Sequence, residues 1–155
     1  MLPLVSALAL LGVATASAID KAAALSECLS AAQVPVDATD SADYKLDASP
    51  YNLRLAYTPI SIVVPTTSKH VQDAVACAAK IGVKTNAKCG GHSYGSFGLG
   101  GEDGHLVIEL DRYNQVVLDN VTGIARVQGG ARLGHVASEL WDQGKRALSH
   151  GTCPG

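Results

Sequence analysis

The chain has 155 residues, enough for one domain with its own core and too few for two large ones. Its net charge of −2, from 12 basic and 14 acidic residues, offers no basic field for nucleic acid and no polybasic patch for a membrane surface. Hydrophobic residues make up 47% but aromatics only 5%, so the apolar content is mostly Ala, Val and Leu.

Part of that content sits at the N-terminus. An apolar run from Leu4 to Val13 is too short to span a bilayer and leads into Ala16-Ser17-Ala18, the small-x-small pattern that signal peptidase accepts. No Lys or Arg precedes the run, so the terminal amine must supply the positive end. Residues 1–18 are expected to be a signal peptide, with a secreted mature chain starting near Ile19. Four cysteines suit that oxidising destination. Cys28 falls on a predicted helix (Asp20 to Ala32) and Cys77 on another (Ser68 to Ile81), both alanine-rich, so a Cys28–Cys77 staple is expected. Cys89 and Cys153 each lie beside glycines.

Val34 to Pro50 is polar and acidic without periodicity and is expected to be a surface loop. Ile60 to Val64, β-branched and closed by Pro65, predicts a strand. Thr67-Ser68 offers an N-cap, and Val71, Ala74, Ala78 and Ile81 recur at helical spacing up to Gly82. Val83 to Ala87 predicts a second strand, completing a parallel β-α-β crossover. His105 to Leu110 alternates as a strand with Leu106, Ile108 and Leu110 on one face. Val116 to Asp119 and Ile124 to Gln128 predict a hairpin about Asn120-Val121-Thr122-Gly123, whose first three residues are also an N-glycosylation sequon. Leu133, Val136, Ala137, Leu140 and Trp141 then form the apolar stripe of a helix that Gly144 stops. Ala147 to Gly155 reads as a short strand or loop. The order predicts an α+β domain.

The chemistry concentrates where glycine does: 14 of the 16 glycines lie from Gly90 onward. The segment Lys88-Cys89-Gly90-Gly91-His92-Ser93-Tyr94-Gly95 follows a predicted strand, and its glycines let a ligand approach the backbone. Successive main-chain N–H groups in such a loop make a nest for an anion such as a pyrophosphate, with the Ser93 hydroxyl as an added donor. No Gly-Lys-Ser/Thr ends the loop, and no helix opens after it, so neither phosphate-loop fingerprint applies. On the residues alone an anion nest and a plain turn stand equal. His92 adds an imidazole that can act as nucleophile, ligand or base. His70 and His135 sit on separate predicted helices and His105 opens a strand, so no zinc spacing exists and no metal is expected. Gly95-Ser96-Phe97-Gly98 does not match the spacing of a hydrolase nucleophile elbow.

Four motifs stand in order: Cys89-Gly90-Gly91-His92-Ser93-Tyr94-Gly95, Gly100-Gly101-Glu102-Asp103-Gly104, Gln128-Gly129-Gly130-Ala131 and Ser149-His150-Gly151-Thr152-Cys153-Pro154. Together they resemble the glucooligosaccharide oxidases, within the berberine-bridge-enzyme-like group of FAD-linked oxidases, over Tyr57 to the last residue. The resemblance implies a PCMH-type FAD-binding domain over 57–155, incomplete at its C-terminal end, with residues 19–56 as a helix and connector ahead of it. That domain would be an N-terminal β-α-β part followed by the start of a mixed or antiparallel sheet.

It further implies bicovalent FAD, bonded at the flavin 8α carbon by His92 and at position 6 by Cys153. Cys89, Gly90, Gly91, Ser93, Gly151 and Thr152 are the other implied cofactor contacts. Cys89 departs from the glycine commoner at that place and is read as a spare small residue in the loop. The implied reaction oxidises the anomeric hydroxyl of an oligosaccharide to a lactone with O₂ as acceptor, giving hydrogen peroxide. The family's base, a tyrosinate late in the chain, has no counterpart before Gly155, so no catalytic residue is assigned here. These 155 residues alone are expected to turn over no substrate. A related flavin enzyme acting on another alcohol, or an inactive secreted domain, are the alternative readings.

Overall fold

The computed structural model describes residues 20–153. The expected signal peptide and the last two residues lie outside that range. Among the described residues no helix is long and apolar enough to cross a membrane.

Helix α1 (residues 20–31) carries Leu25 and Leu29, both fully buried, and ends at Gln33 in the left-handed region (φ 56°). The segment expected to be a featureless loop instead does two structural jobs. Val36 bridges antiparallel to Val63, and residues Ala42–Asp47 form a helix, α2, capped by the Ser41 hydroxyl accepting from the Tyr44 N–H at 3.0 Å. A helix of six residues holds too few turns for a hydrophobic period. Its apolar contacts are Tyr44 and, at the C-cap, Ala48, four residues apart, which pack on Ile62, Leu99 and Val107.

Strand β1 (Ser61–Val63), helix α3 (Ser68–Ile81) and strand β2 (Thr85–Lys88) appear as predicted, with Thr67 accepting from the His70 N–H at 3.2 Å and Gly82 closing the helix in the left-handed region. The strands are not neighbours, however. Strand β3 (Leu106–Glu109) lies between them and pairs parallel with both, giving the order β1-β3-β2. As the central strand, β3 is buried on both faces rather than one. Leu106 and Ile108 face α1 and α3, in a core with Leu25, Leu29, Ala74 and Ala78. Val107 faces the opposite side with Ile62 and Leu99. Cys28 and Cys77 form the expected disulfide between α1 and α3, their Cα atoms 5.8 Å apart.

The second sheet is the predicted hairpin, β4 (Val116–Leu118) antiparallel to β5 (Ala125–Val127), with helix α4 (Leu133–Gly144) against it through Val136 and Leu140. The Gln143 side chain acts as a substitute strand partner for β4: it accepts from the Leu118 N–H at 2.8 Å and donates to the Val116 carbonyl at 2.9 Å. Trp141 departs from the expected stripe. It is 57% exposed, with the Lys145 ammonium 4.9 Å from its ring centroid. Residues 145–153 run on without a strand. The Asn120 sequon lies on the exposed hairpin turn.

Candidate functional site

Parallel strands place their carboxyl ends together, and in open α/β sheets that edge is where ligands bind. Lys88 and Glu109 are register partners at the ends of β2 and β3. The glycine loop leaves from the first and the Asp111–Tyr113 turn from the second. Between them lies a cavity of about 360 Å³ lined by Cys89, Gly90, Gly91, His92, Asp111 and Arg132, with Asp47, Ser49, Pro50 and Tyr51 on the side of α2.

Beneath the loop runs a chain of charges. The Lys88 ammonium, only 10% exposed, is paired with Glu109 and lies 3.7 Å from Asp47 Oδ1. Burial pushes the Glu109 carboxyl above its ordinary value, and the Lys88 contact pulls it back. Asp37, buried beside β1, is raised to about 6, first by burial and then by hydrogen bonding and charge from Asp47. Its Oδ2 has no hydrogen-bond partner among the described residues. At the opposite end of the loop, Lys84 and then His105 hold Glu102 below the usual carboxylate range.

Gly91 turns in the left-handed region (φ 65°), and this presents His92 outward. The imidazole is exposed and engages no hydrogen bond among the described residues. Its aromatic neighbour is Tyr51, whose ring meets it edge-on at 5.5 Å between centroids; Tyr94 in turn meets Tyr51 at 5.6 Å. Asn52 ties the two segments by donating to the Tyr94 carbonyl at 2.9 Å. Ser93 is half-buried, its Oγ accepting from the Phe97 N–H at 3.2 Å, which leaves its own hydrogen free to donate.

Among the predicted site residues, Cys89, Gly90, Gly91 and His92 line one cavity. Gly151, Thr152 and Cys153 are exposed and do not line it. Cys89 and Cys153 are both free thiols. The two segments approach adjacent residues at the start of α4: the N-cap Arg132 donates to the Cys89 carbonyl at 3.3 Å, and a Cβ placed on Gly151 would lie 3.5 Å from Leu133 Cδ1. Sequence reasoning missed Tyr51, Asp47 and Arg132. Only Arg132 carried a signal, as the residue following Gln128-Gly129-Gly130-Ala131.

An open glycine backbone and an unengaged imidazole lining one cavity are suited to holding a cofactor with a phosphate tail, and the free thiol of Cys153 lies outside that cavity on the C-terminal segment. Similarity to known proteins identifies the class. Residues 59–154 match the FAD binding domain family, and the chain belongs to it.

Within that class, the chain is 61% identical to xylooligosaccharide oxidase from Thermothelomyces thermophilus over 100% of its length, which is 31% of that protein. The solved structure of xylooligosaccharide oxidase from Myceliophthora thermophila C1 in complex with xylobiose superposes with a TM-score of 0.81 at 63% identity, over 84% of this chain and 28% of that one. A structure concerned with the 6-S-cysteinyl, 8α-N1-histidyl FAD of glucooligosaccharide oxidase from Acremonium strictum superposes with a TM-score of 0.80 at 50% identity, over 84% and 27%. The chain therefore spans about a third of the length of the relatives it matches.

Proposed function

We propose that this chain is the FAD-anchoring part of a secreted oxidase that converts the anomeric hydroxyl of oligosaccharides to a lactone. The substrate loses the C1 hydrogen with its electron pair and the hydroxyl proton, and O₂ takes up the two electrons and two protons as hydrogen peroxide. FAD, when bound, supplies the two-electron acceptor between them. In this reading the chain's own residues hold that group. His92 would present an exposed imidazole nitrogen for a bond at the flavin 8α carbon, and Cys153 a thiol for a bond at position 6, each bond replacing a flavin C–H and a protein N–H or S–H, with the two electrons and two protons passing to O₂ as hydrogen peroxide. Gly90 and Gly91 leave the backbone N–H groups open to the phosphates, with Ser93, Cys89, Gly151 and Thr152 alongside. Two tethers hold a flavin without protein walls above it, which leaves room for a long saccharide.

The observation that carries the reading is the unengaged His92 imidazole on a glycine loop at the carboxyl edge of the parallel sheet, in a chain 50% identical to an enzyme with a cysteinyl, histidyl FAD. The direct test is intact mass and visible spectrum of the full-length protein and its His92→Ala and Cys153→Ala variants. Flavin should survive acid precipitation of the unmutated protein and of each single variant, and be released from the double variant. Release from the unmutated protein would overturn the bicovalent assignment. Oxygen consumption on xylo-, chito- and gluco-oligosaccharides, compared with non-sugar alcohols, tests the substrate class.

A further inference from the structure

We infer that Arg132 is the positioning residue of the His92 loop, clamping its Cys89–Gly90 start to the N-cap of α4. The inference rests on the reading of His92 as the flavin-bearing residue. Three observations converge on it. The guanidinium donates through Nη2 to the Cys89 carbonyl at 3.3 Å and to Asp111 Oδ1 at 2.8 Å, so it joins the loop after β2 to the turn after β3. Nη1 fills the place a side chain would need at position 90: a Cβ on Gly90 would lie 2.8 Å from it. The same guanidinium lines the cavity that His92 lines.

The clamp also accounts for the Gln128-Gly129-Gly130-Ala131 motif. Gly130 donates its N–H to the Tyr113 carbonyl at 2.9 Å and passes so close to the Leu110 carbonyl that any Cβ would collide with it. That contact fixes where Arg132 starts, two residues on. The Arg132 side chain is 34% exposed and Asp111 48%, and an ion pair that open adds little to stability. What the guanidinium supplies is geometry: Nη2 holds the Cys89 carbonyl and the Asp111 carboxylate together while Nη1 fills the space beside Gly90. Lys88 cannot take this role, because its ammonium is engaged below the loop by Glu109 and Asp47.

The test compares Arg132→Ala and Arg132→Lys with the unmutated full-length protein, following flavin incorporation by peptide mass at His92 and Cys153 separately. Arg132→Ala should slow bond formation at His92 on the order of tenfold to a hundredfold, with Cys153 affected less, because a reacting atom misplaced by about 1 Å loses that much. Guanidinium ion added to Arg132→Ala should restore part of the rate. Hydrogen exchange should rise over residues 89–92 and stay unchanged over α3. Arg132→Lys, which keeps the charge but is shorter and has no second nitrogen to fill the space beside Gly90, should fall between. Incorporation at His92 in Arg132→Lys equal to that of the unmutated protein would overturn the inference even if the alanine variant fails to fold. An unmutated protein with no flavin on His92 would instead overturn the reading of the site beneath it.

Discussion

Tyr51 and His92 meet edge to face with ring centroids 5.5 Å apart, though 41 residues separate them and one belongs to a segment with no sequence signature. This contact orients an imidazole that no hydrogen bond among the described residues holds. An edge-to-face pair contributes about 0.5–1.5 kcal/mol beyond its buried area, which corresponds to a several-fold bias in ring orientation. With His92 as the proposed point of flavin attachment, Tyr51→Ala should slow that attachment several-fold, while Tyr51→Phe, which keeps the ring, should match the unmutated protein. A time course of covalent flavin by denaturing-gel fluorescence reads the difference.

The disulfide joins α1 to α3 across 49 residues of sequence. A loop of that length removes chain entropy worth about 4 kcal/mol from the unfolded state. The Cys28→Ser, Cys77→Ser double variant should lose about that much stability in urea titration, with little change in the visible spectrum of bound flavin.

Gly130→Ala and Gly123→Ala should separate two uses of glycine. At position 130 the added methyl meets the Leu110 backbone, which cannot move aside, and a loss of about 3 kcal/mol or failure to fold is expected. At position 123 the space is empty and only the left-handed conformation (φ 72°) resists, so about 1 kcal/mol is expected. Thermal melts of the two variants check the ranking.

Asp37 makes stability fall as pH rises. Its folded pKa of about 6 lies above the ordinary 3.8, so the folded state holds this proton more tightly. The favourable contribution is complete below pH 3.8 and is lost as pH climbs through about 6. Glu109, also raised, acts in the same sense. Glu102 and Asp119, both lowered, act oppositely, their contribution lost only as pH falls below the usual carboxylate range. Asp37→Asn should raise stability at pH 7 and flatten the profile between pH 4 and 6. Urea titrations across that range measure it.

The amino-acid sequence by itself determined the elements whose signal is local. Thr67 and Gly82 bound α3, Val136 and Leu140 mark the buried face of α4, and the glycines about His92 mark a loop without side-chain bulk. It also carried the FAD binding domain match, since motif order survives in one dimension. Tertiary structure alone decided what depends on distant segments. Strand β3 entered between β1 and β2 because its two apolar faces each found a core, which no single-face alternation announces. The acidic connector became α2 because Tyr44 and Ala48 could cover the sheet's second face, a tertiary reward with almost no local period. Tyr51 and Arg132 reached the glycine loop for the same reason: a ring edge and a guanidinium act through space, and only the folded chain brings them to His92 and Cys89.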